Sequence, residues 1–201
     1  EIIIPSFTFV STANAFILRG AKPVFADIRE DNLNIDEKLI EKLITERTKA
    51  IVPVHYGGIA CEMDSIMNIA NHRNIVVIED NAHSLYGKFK NKYLGTFGTF
   101  ATQSFHETKN ISCGEGGALF INDEQYIERA EIILDKGTNR KKFITNQVDK
   151  YTWVDFGSSY RLSELNAAFL YGQLECLNVI REKRKQMWNT YYSLLKNWSN
   201  K

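Results

Sequence analysis

Ile75-Val76-Val77-Ile78-Glu79-Asp80-Asn81-Ala82-His83 is the stretch on which the fold turns. Four apolar residues with no polar alternation mark a strand buried on both faces, and the abrupt polarity after them marks the point where it leaves the core. The segments on either side repeat the rhythm. Strand-like runs at 2–4, 23–28, 50–54, 100–105 and 118–121 alternate with segments of helical period. That order predicts an α/β chain with a mostly parallel central sheet between two layers of helices.

The spacing predicts a helix over 8–18 closed by Gly20, a second capped by Asn34-Ile35-Asp36 with Leu39, Ile40, Leu43 and Ile44 on one face, and a third over 63–70. A small hairpin is expected at 89–93, with Asn91 and Lys92 at its turn. After Glu124 a helix should run to about residue 136, followed by a polar loop over 137–150 without a period. Ser163 opens a further helix, and an amphipathic one should cover 178–198.

Composition narrows the classes. The 201 residues are 44% hydrophobic and 24% charged, enough apolar content for a real core. Acids and bases are mixed along the chain to a net charge of +1, with no basic stripe to follow a phosphate backbone, so no nucleic-acid partner is expected. Cys61, Cys113 and Cys176 are odd in number and widely spaced, which argues against a disulfide framework and against a zinc site. Ile2-Ile3-Ile4, stopped by Pro5, is too short for a signal peptide or a membrane span. The expectation is a cytoplasmic protein with no metal and no membrane partner. A chain that opens within a strand at Glu1 and closes just after a helix, at Asn200-Lys201, is expected to be truncated at both ends.

In an open parallel sheet, ligands gather beyond the carboxyl ends of the strands. Two such exits are polar here: Glu79-Asp80-Asn81-Ala82-His83, and His106-Glu107-Thr108-Lys109-Asn110 after the run at 100–105. Alone, Asp80 reads sooner as a helix cap or a metal ligand, and Lys109 as a solvated surface lysine. Together they meet the two requirements of pyridoxal-phosphate chemistry: an amine to hold the cofactor and an acid to keep its ring nitrogen protonated. Cys113-Gly114-Glu115-Gly116-Gly117 adds a glycine-rich turn that lets backbone pass close to a flat ligand, or forms an ordinary tight turn.

Over its whole length the chain resembles the DegT-type sugar-nucleotide aminotransferases, pyridoxal-phosphate enzymes of fold type I. The resemblance lies in Pro5-Ser6-Phe7-Thr8-Phe9-Val10-Ser11-Thr12-Ala13-Asn14, Gly20-Ala21-Lys22-Pro23-Val24-Phe25, Val54-His55-Tyr56-Gly57-Gly58, the Asp80 stretch, and Ser104-Phe105-His106-Glu107-Thr108-Lys109-Asn110. It implies that Lys109 forms the Schiff base, Asp80 partners the pyridine nitrogen, Phe9 stacks on the ring, His83 lies by the ring hydroxyl and Ser104 helps hold the phosphate. Each of the last three also has a structural reading: core, loop histidine and strand-end cap. Arg161 and His106 are implied as substrate or partner-subunit contacts in a homodimer with shared active sites.

The resemblance further implies a large domain over 1–175, lacking its N-terminal part, and a helix over 176–201 leading to an absent small domain. Lys136-Gly137-Thr138-Asn139-Arg140 and Gln147-Val148-Asp149-Lys150-Tyr151-Thr152-Trp153 are similar to the branch that makes dTDP-4-amino-4,6-dideoxygalactose from dTDP-4-dehydro-6-deoxyglucose, with L-glutamate as amino donor and surface polysaccharide, lipopolysaccharide among them, as destination. Alternatives are a sister enzyme for another keto-sugar nucleotide, aminated at C3 or linked to UDP, and a binding-only subunit that keeps the fold. A deoxysugar dehydratase on this scaffold would replace the lysine. A Rossmann-type binder would need GxGxxG where Pro5-Ser6-Phe7-Thr8 stands.

Overall fold

The computed structural model describes residues 1–198. Its contacts divide the chain into two units: Glu1–Ser104 with Gly117–Leu162, and Phe105–Gly116 with the segment from Ser163 onward.

In the first unit the elements run β1 (Ile2–Pro5), α1 (Val10–Ile17), β2 (Pro23–Ala26), α2 (Glu37–Leu43), β3 (Ala50–Ile51), α3 (Met63–Arg73), β4 (Val76–Asp80), the hairpin strands β5 (Lys88–Phe89) and β6 (Lys92–Tyr93), then β7 (Phe100–Ser104), β8 (Gly117–Ile121), α4 (Ile127–Leu134) and α5 (Arg140–Ile144). The main sheet has the order β2-β1-β3-β4-β7-β8. All its neighbours are parallel except β8, which pairs antiparallel with β7.

Helices lie on both faces of the sheet, and β1 shows why. Successive strand residues point to opposite sides. Ile3 packs with Ile40 of α2 and with Met63, Ile66 and Ala70 of α3, whereas Ile2 and Ile4 pack with Ala13 and Phe16 of α1. An unbroken apolar strand is therefore a residue set shared between two cores. This is the expected three-layer α/β/α arrangement.

The structure refines several boundaries. β4 extends through Glu79 and Asp80, which sequence reading placed after the strand. β3 is cut to two residues because Pro53 has no N–H to donate. The chain nonetheless stays beside β4: the Asp80 N–H donates to Pro53 O (2.8 Å) and the His55 N–H to Asp80 O (3.2 Å). The hairpin turn falls on Lys90-Asn91 rather than Asn91-Lys92, since Phe89 pairs with Lys92 and the two turn residues take φ of +46° and +69°. A turn with both central residues left-handed matches the twist of its strands. The loop expected over 137–150 contains α5, whose five residues are too few to display a period. α4 stops at Leu134, before Lys136 and Gly137 turn left-handed.

The second unit holds α6 (Glu164–Glu175) and α7 (Leu177–Leu195). Ser163 caps α6, its hydroxyl accepting from the Asn166 N–H at 3.2 Å. The segment 105–116 closes on itself: Phe105 N–H donates to Gly116 O, and Cys113 N–H to Phe105 O. α7 ends three residues before Trp198, and the end of the expected 176–201 segment, residues 199–201, lies outside the described residues. Among the described residues no helix is long and apolar enough to cross a membrane.

Candidate active site

Asp80 is the last residue of β4, and its main chain is fastened before its side chain is considered. It pairs in register with Thr102 of β7 on one side and bridges to Val54 on the other. Its half-buried carboxylate then takes two hydrogen bonds. Oδ2 accepts from Thr12 Oγ1 at 2.7 Å, and Oδ1 from the Ala82 N–H at 3.1 Å. Thr12 lies in the first turn of α1, and Phe9, the residue before that helix, holds its ring 71% exposed. The fastened acid and the open aromatic thus flank the same helix start.

His83 follows the strand and is exposed. Its Nδ1 accepts from the Gly57 N–H at 3.2 Å, so in the neutral ring the proton sits on Nε2. That approach depends on Gly57 and Gly58 both adopting positive φ, +60° and +85°. Tyr56 meets His83 edge-on at 5.3 Å and Phe7 at 4.6 Å, forming an aromatic row beside the acid. Ser104, half-buried, ends β7 opposite Gly117 of β8. The first unit therefore gathers Phe9, Asp80, His83 and Ser104 around the carboxyl ends of adjacent strands and the start of α1.

Beneath Asp80 lies a residue that sequence reading left without a role. Strand alternation sends Glu79 to the opposite face, where its side chain is fully buried. It accepts four hydrogen bonds: from His55 Nε2 at 3.0 Å, and from the amides of Gly95, Phe97 and Gly98 at 2.7–2.8 Å. His55 is also fully buried, and its Nδ1 accepts from the Cys61 N–H, which places the ring proton on Nε2 facing Glu79. Burial pushes the Glu79 carboxyl up, but the His55 bond and the amides outweigh it and hold the group below its ordinary value. The available signal was a charge at the end of an apolar strand, one residue out of phase with Asp80.

Lys109 and His106 belong to the second unit. Lys109 is half-buried in a turn in which its N–H donates to His106 O at 2.9 Å. His106 Nδ1 accepts from the Thr108 N–H, and its Nε2 faces the Glu115 carboxylate at 3.5 Å. Two α6 side chains hold this segment: Gln173 Oε1 accepts from the Ser112 N–H at 3.3 Å, and Asn166 Nδ2 donates to Glu115 O at 2.9 Å. Neither was legible from sequence, because each acts on backbone more than 50 residues away.

Arg161 is engaged within its own unit. Its Nε and Nη2 donate to the two oxygens of Asp135 at 2.6 and 2.5 Å, a bidentate pair at the end of α4. Asp135 is 3% exposed, and the Arg161 bonds hold its carboxyl below the ordinary range. The implied partner-subunit contact is thus an arginine whose fork already closes the 137–160 segment.

A mostly parallel sheet flanked by helices, with an acid fastened at the carboxyl end of a central strand, is the architecture of fold-type I pyridoxal-phosphate proteins. The comparisons agree. The DegT/DnrJ/EryC1/StrS aminotransferase family model matches residues 1–201. The spore coat polysaccharide biosynthesis protein SpsC of Bacillus subtilis is 37% identical over 194 residues, covering 95% of this chain and 50% of that protein. Helicobacter pylori PseC, an aminotransferase involved in the biosynthesis of pseudoaminic acid, superimposes with a TM-score of 0.88 at 34% identity over 98% of this chain and 51% of its own. Spr1654 of Streptococcus pneumoniae, described as a sugar aminotransferase and solved in its PLP form, gives 0.87 at 26% identity over 98% of this chain and 54% of its own. The chain belongs to the DegT/DnrJ/EryC1/StrS aminotransferase family. It spans about half the length of these relatives.

Proposed function

We propose that the protein transfers an amino group from L-glutamate to the C4 ketone of a nucleotide-linked sugar, with pyridoxal 5'-phosphate as cofactor. The substrate we favour is dTDP-4-dehydro-6-deoxyglucose, giving dTDP-4-amino-4,6-dideoxygalactose for surface polysaccharide. The observation that carries the reading is the doubly hydrogen-bonded Asp80 carboxylate at the carboxyl end of β4, in a chain of this family. The residues fit the cofactor: a directed acid for a ring nitrogen, an open aromatic at Phe9 for a ring face, and an imidazole at His83 for a ring hydroxyl.

Bound there, pyridoxal phosphate supplies a ring that withdraws electrons from the carbon losing its proton. Asp80 stabilises positive charge at the ring nitrogen. Phe9 covers one ring face and Ser104 takes part in the phosphate contact. Lys109 Nζ would hold the cofactor covalently and would carry the proton from one carbon to the other.

The finer choice of sugar rests on the resemblance of 136–140 and 147–153 to the galactose-forming branch. Cytoplasmic location, a large domain over 1–175 followed by a helix leading to a small domain, and a homodimer in which His106 and Arg161 contact substrate or the partner subunit belong to the same proposal. Reduction of the full-length protein with borohydride in the presence of pyridoxal phosphate, followed by peptide mapping, tests it. A pyridoxyl adduct confined to Lys109 and lost in Lys109→Ala is expected. Adducts that are absent, or that survive the substitution, would favour a binding-only subunit. A panel of keto-sugar nucleotides with glutamate then decides the sugar, and an equatorial product amine rules out the galactose form.

A further inference from the structure

We propose that Thr12 is a positioning residue for Asp80: its donated hydrogen bond fixes the carboxylate so that the acid is aimed before the cofactor arrives. The inference rests on the pyridoxal-phosphate reading above. Thr12 is 6% exposed and lies 68 residues from Asp80 in sequence, yet its hydroxyl approaches Oδ2 to 2.7 Å. A carboxylate only accepts, so the single hydroxyl proton of Thr12 is committed to Asp80. The 2.8 Å contact between Thr8 Oγ1 and Thr12 Oγ1 must then run from Thr8 to Thr12. The result is a directed chain from Thr8 through Thr12 to Asp80, and each donor in such a chain strengthens the next.

A threonine in a first helical turn commonly serves its own helix, but this hydroxyl does not. Its bond crosses from α1 to β4, and Phe9, at the N-cap of α1, makes no side-chain capping bond. The first turn of α1 also carries no acid of its own, so Asp80 supplies from the sheet the negative charge that a helix start favours. With Thr12 on Oδ2 and the Ala82 amide on Oδ1, both oxygens are oriented, and each retains a lone pair for the ring N–H. A carboxylate held this way need not reorganise when it meets positive charge, which is the condition for preorganised electrostatic stabilisation.

The test uses the full-length protein reconstituted with pyridoxal phosphate, comparing Thr12→Val, Thr12→Ser and Thr8→Val by cofactor Kd, by kcat and KM, and by melting temperature. Thr12→Val keeps the shape and removes the donor. Expected are a cofactor Kd raised and a kcat lowered by about tenfold each, the worth of a hydrogen bond to a charged group, with KM for the sugar nearly unchanged. Thr12→Ser should restore both, and Thr8→Val should shift both in the same direction by a smaller factor.

If wild type binds the cofactor and Thr12→Val matches it in Kd and kcat, the positioning role is overturned. It is equally overturned if Thr12→Ser fails as badly as valine while the melting temperature falls, for then the residue only packs. If wild type itself takes up no pyridoxal phosphate and gives no borohydride adduct, the functional reading fails, and the role of Thr12 fails with it.

Discussion

The imidazole of His55 and the carboxylate of Glu79 stand 3.0 Å apart with neither side chain exposed, directly behind the strand end that carries Asp80. The pair is a structural element with a chemical purpose. Glu79 gathers the amides of Gly95, Phe97 and Gly98, and His55 ties it to the backbone at Cys61, so the end of β4 cannot shift without leaving a charge unpaired in the core.

Glu79→Gln replaces an acceptor by an amide donor among four donors, and is expected to cost about 2–4 kcal/mol in urea unfolding. The pH dependence follows from the lowered carboxyl. Between the folded and unfolded values the unfolded chain binds more protons, so the contribution of Glu79 is fully present above its ordinary 4.5 and is lost as pH falls through the folded value. Unfolding curves between pH 6 and about 3 should show a shallower acid limb in Glu79→Gln than in wild type.

Asn166→Ala and Gln173→Ala each remove one bond between α6 and the lysine segment. A cost of about 1 kcal/mol or less is expected for each in global stability. The larger effect should be local. Amide hydrogen exchange over 109–115 is expected to accelerate while exchange in β4 stays unchanged.

Arg161→Ala removes both bonds that the nearly buried Asp135 receives from its fork, leaving Arg140 at 3.9 Å and the charge of Lys136 as remaining compensation, and should destabilise the first unit by about 1–3 kcal/mol. Arg161→Lys should recover little of this, because an ammonium cannot repeat the two-pronged contact. Limited proteolysis within 137–160 is the direct readout, with cleavage rising in both variants.

Gly137→Ala should be the most damaging of these changes. The residue takes φ of +75°, and an added Cβ would collide with the Asp155 carbonyl oxygen, which is backbone and cannot turn aside. A loss of at least about 3 kcal/mol is expected, read as a fall in soluble yield and melting temperature.

Sequence alone determined the α/β class and the existence of the strands, because strands buried between two layers must be apolar, but not their ends: β4 carries its ladder two residues past the break in polarity, through Glu79 and Asp80, and β3 stops short of it. It also singled out Lys109 and Asp80 as a pair, since cofactor chemistry asks for both residue types after strands. What it could not determine was the company Asp80 keeps. Thr12 and Glu79 appear in the sequence as an ordinary helix threonine and a surface-like acid, and both acquire their roles only when α1 is laid against the sheet and strand alternation turns Glu79 inward. Arg161 likewise carries no mark of Asp135, 26 residues earlier, as its partner. Local pattern reflects what each residue does to its own strand or helix. The bonds that orient a carboxylate, bury a charge or pin a loop depend on distances between segments, and those are decided only by the tertiary structure.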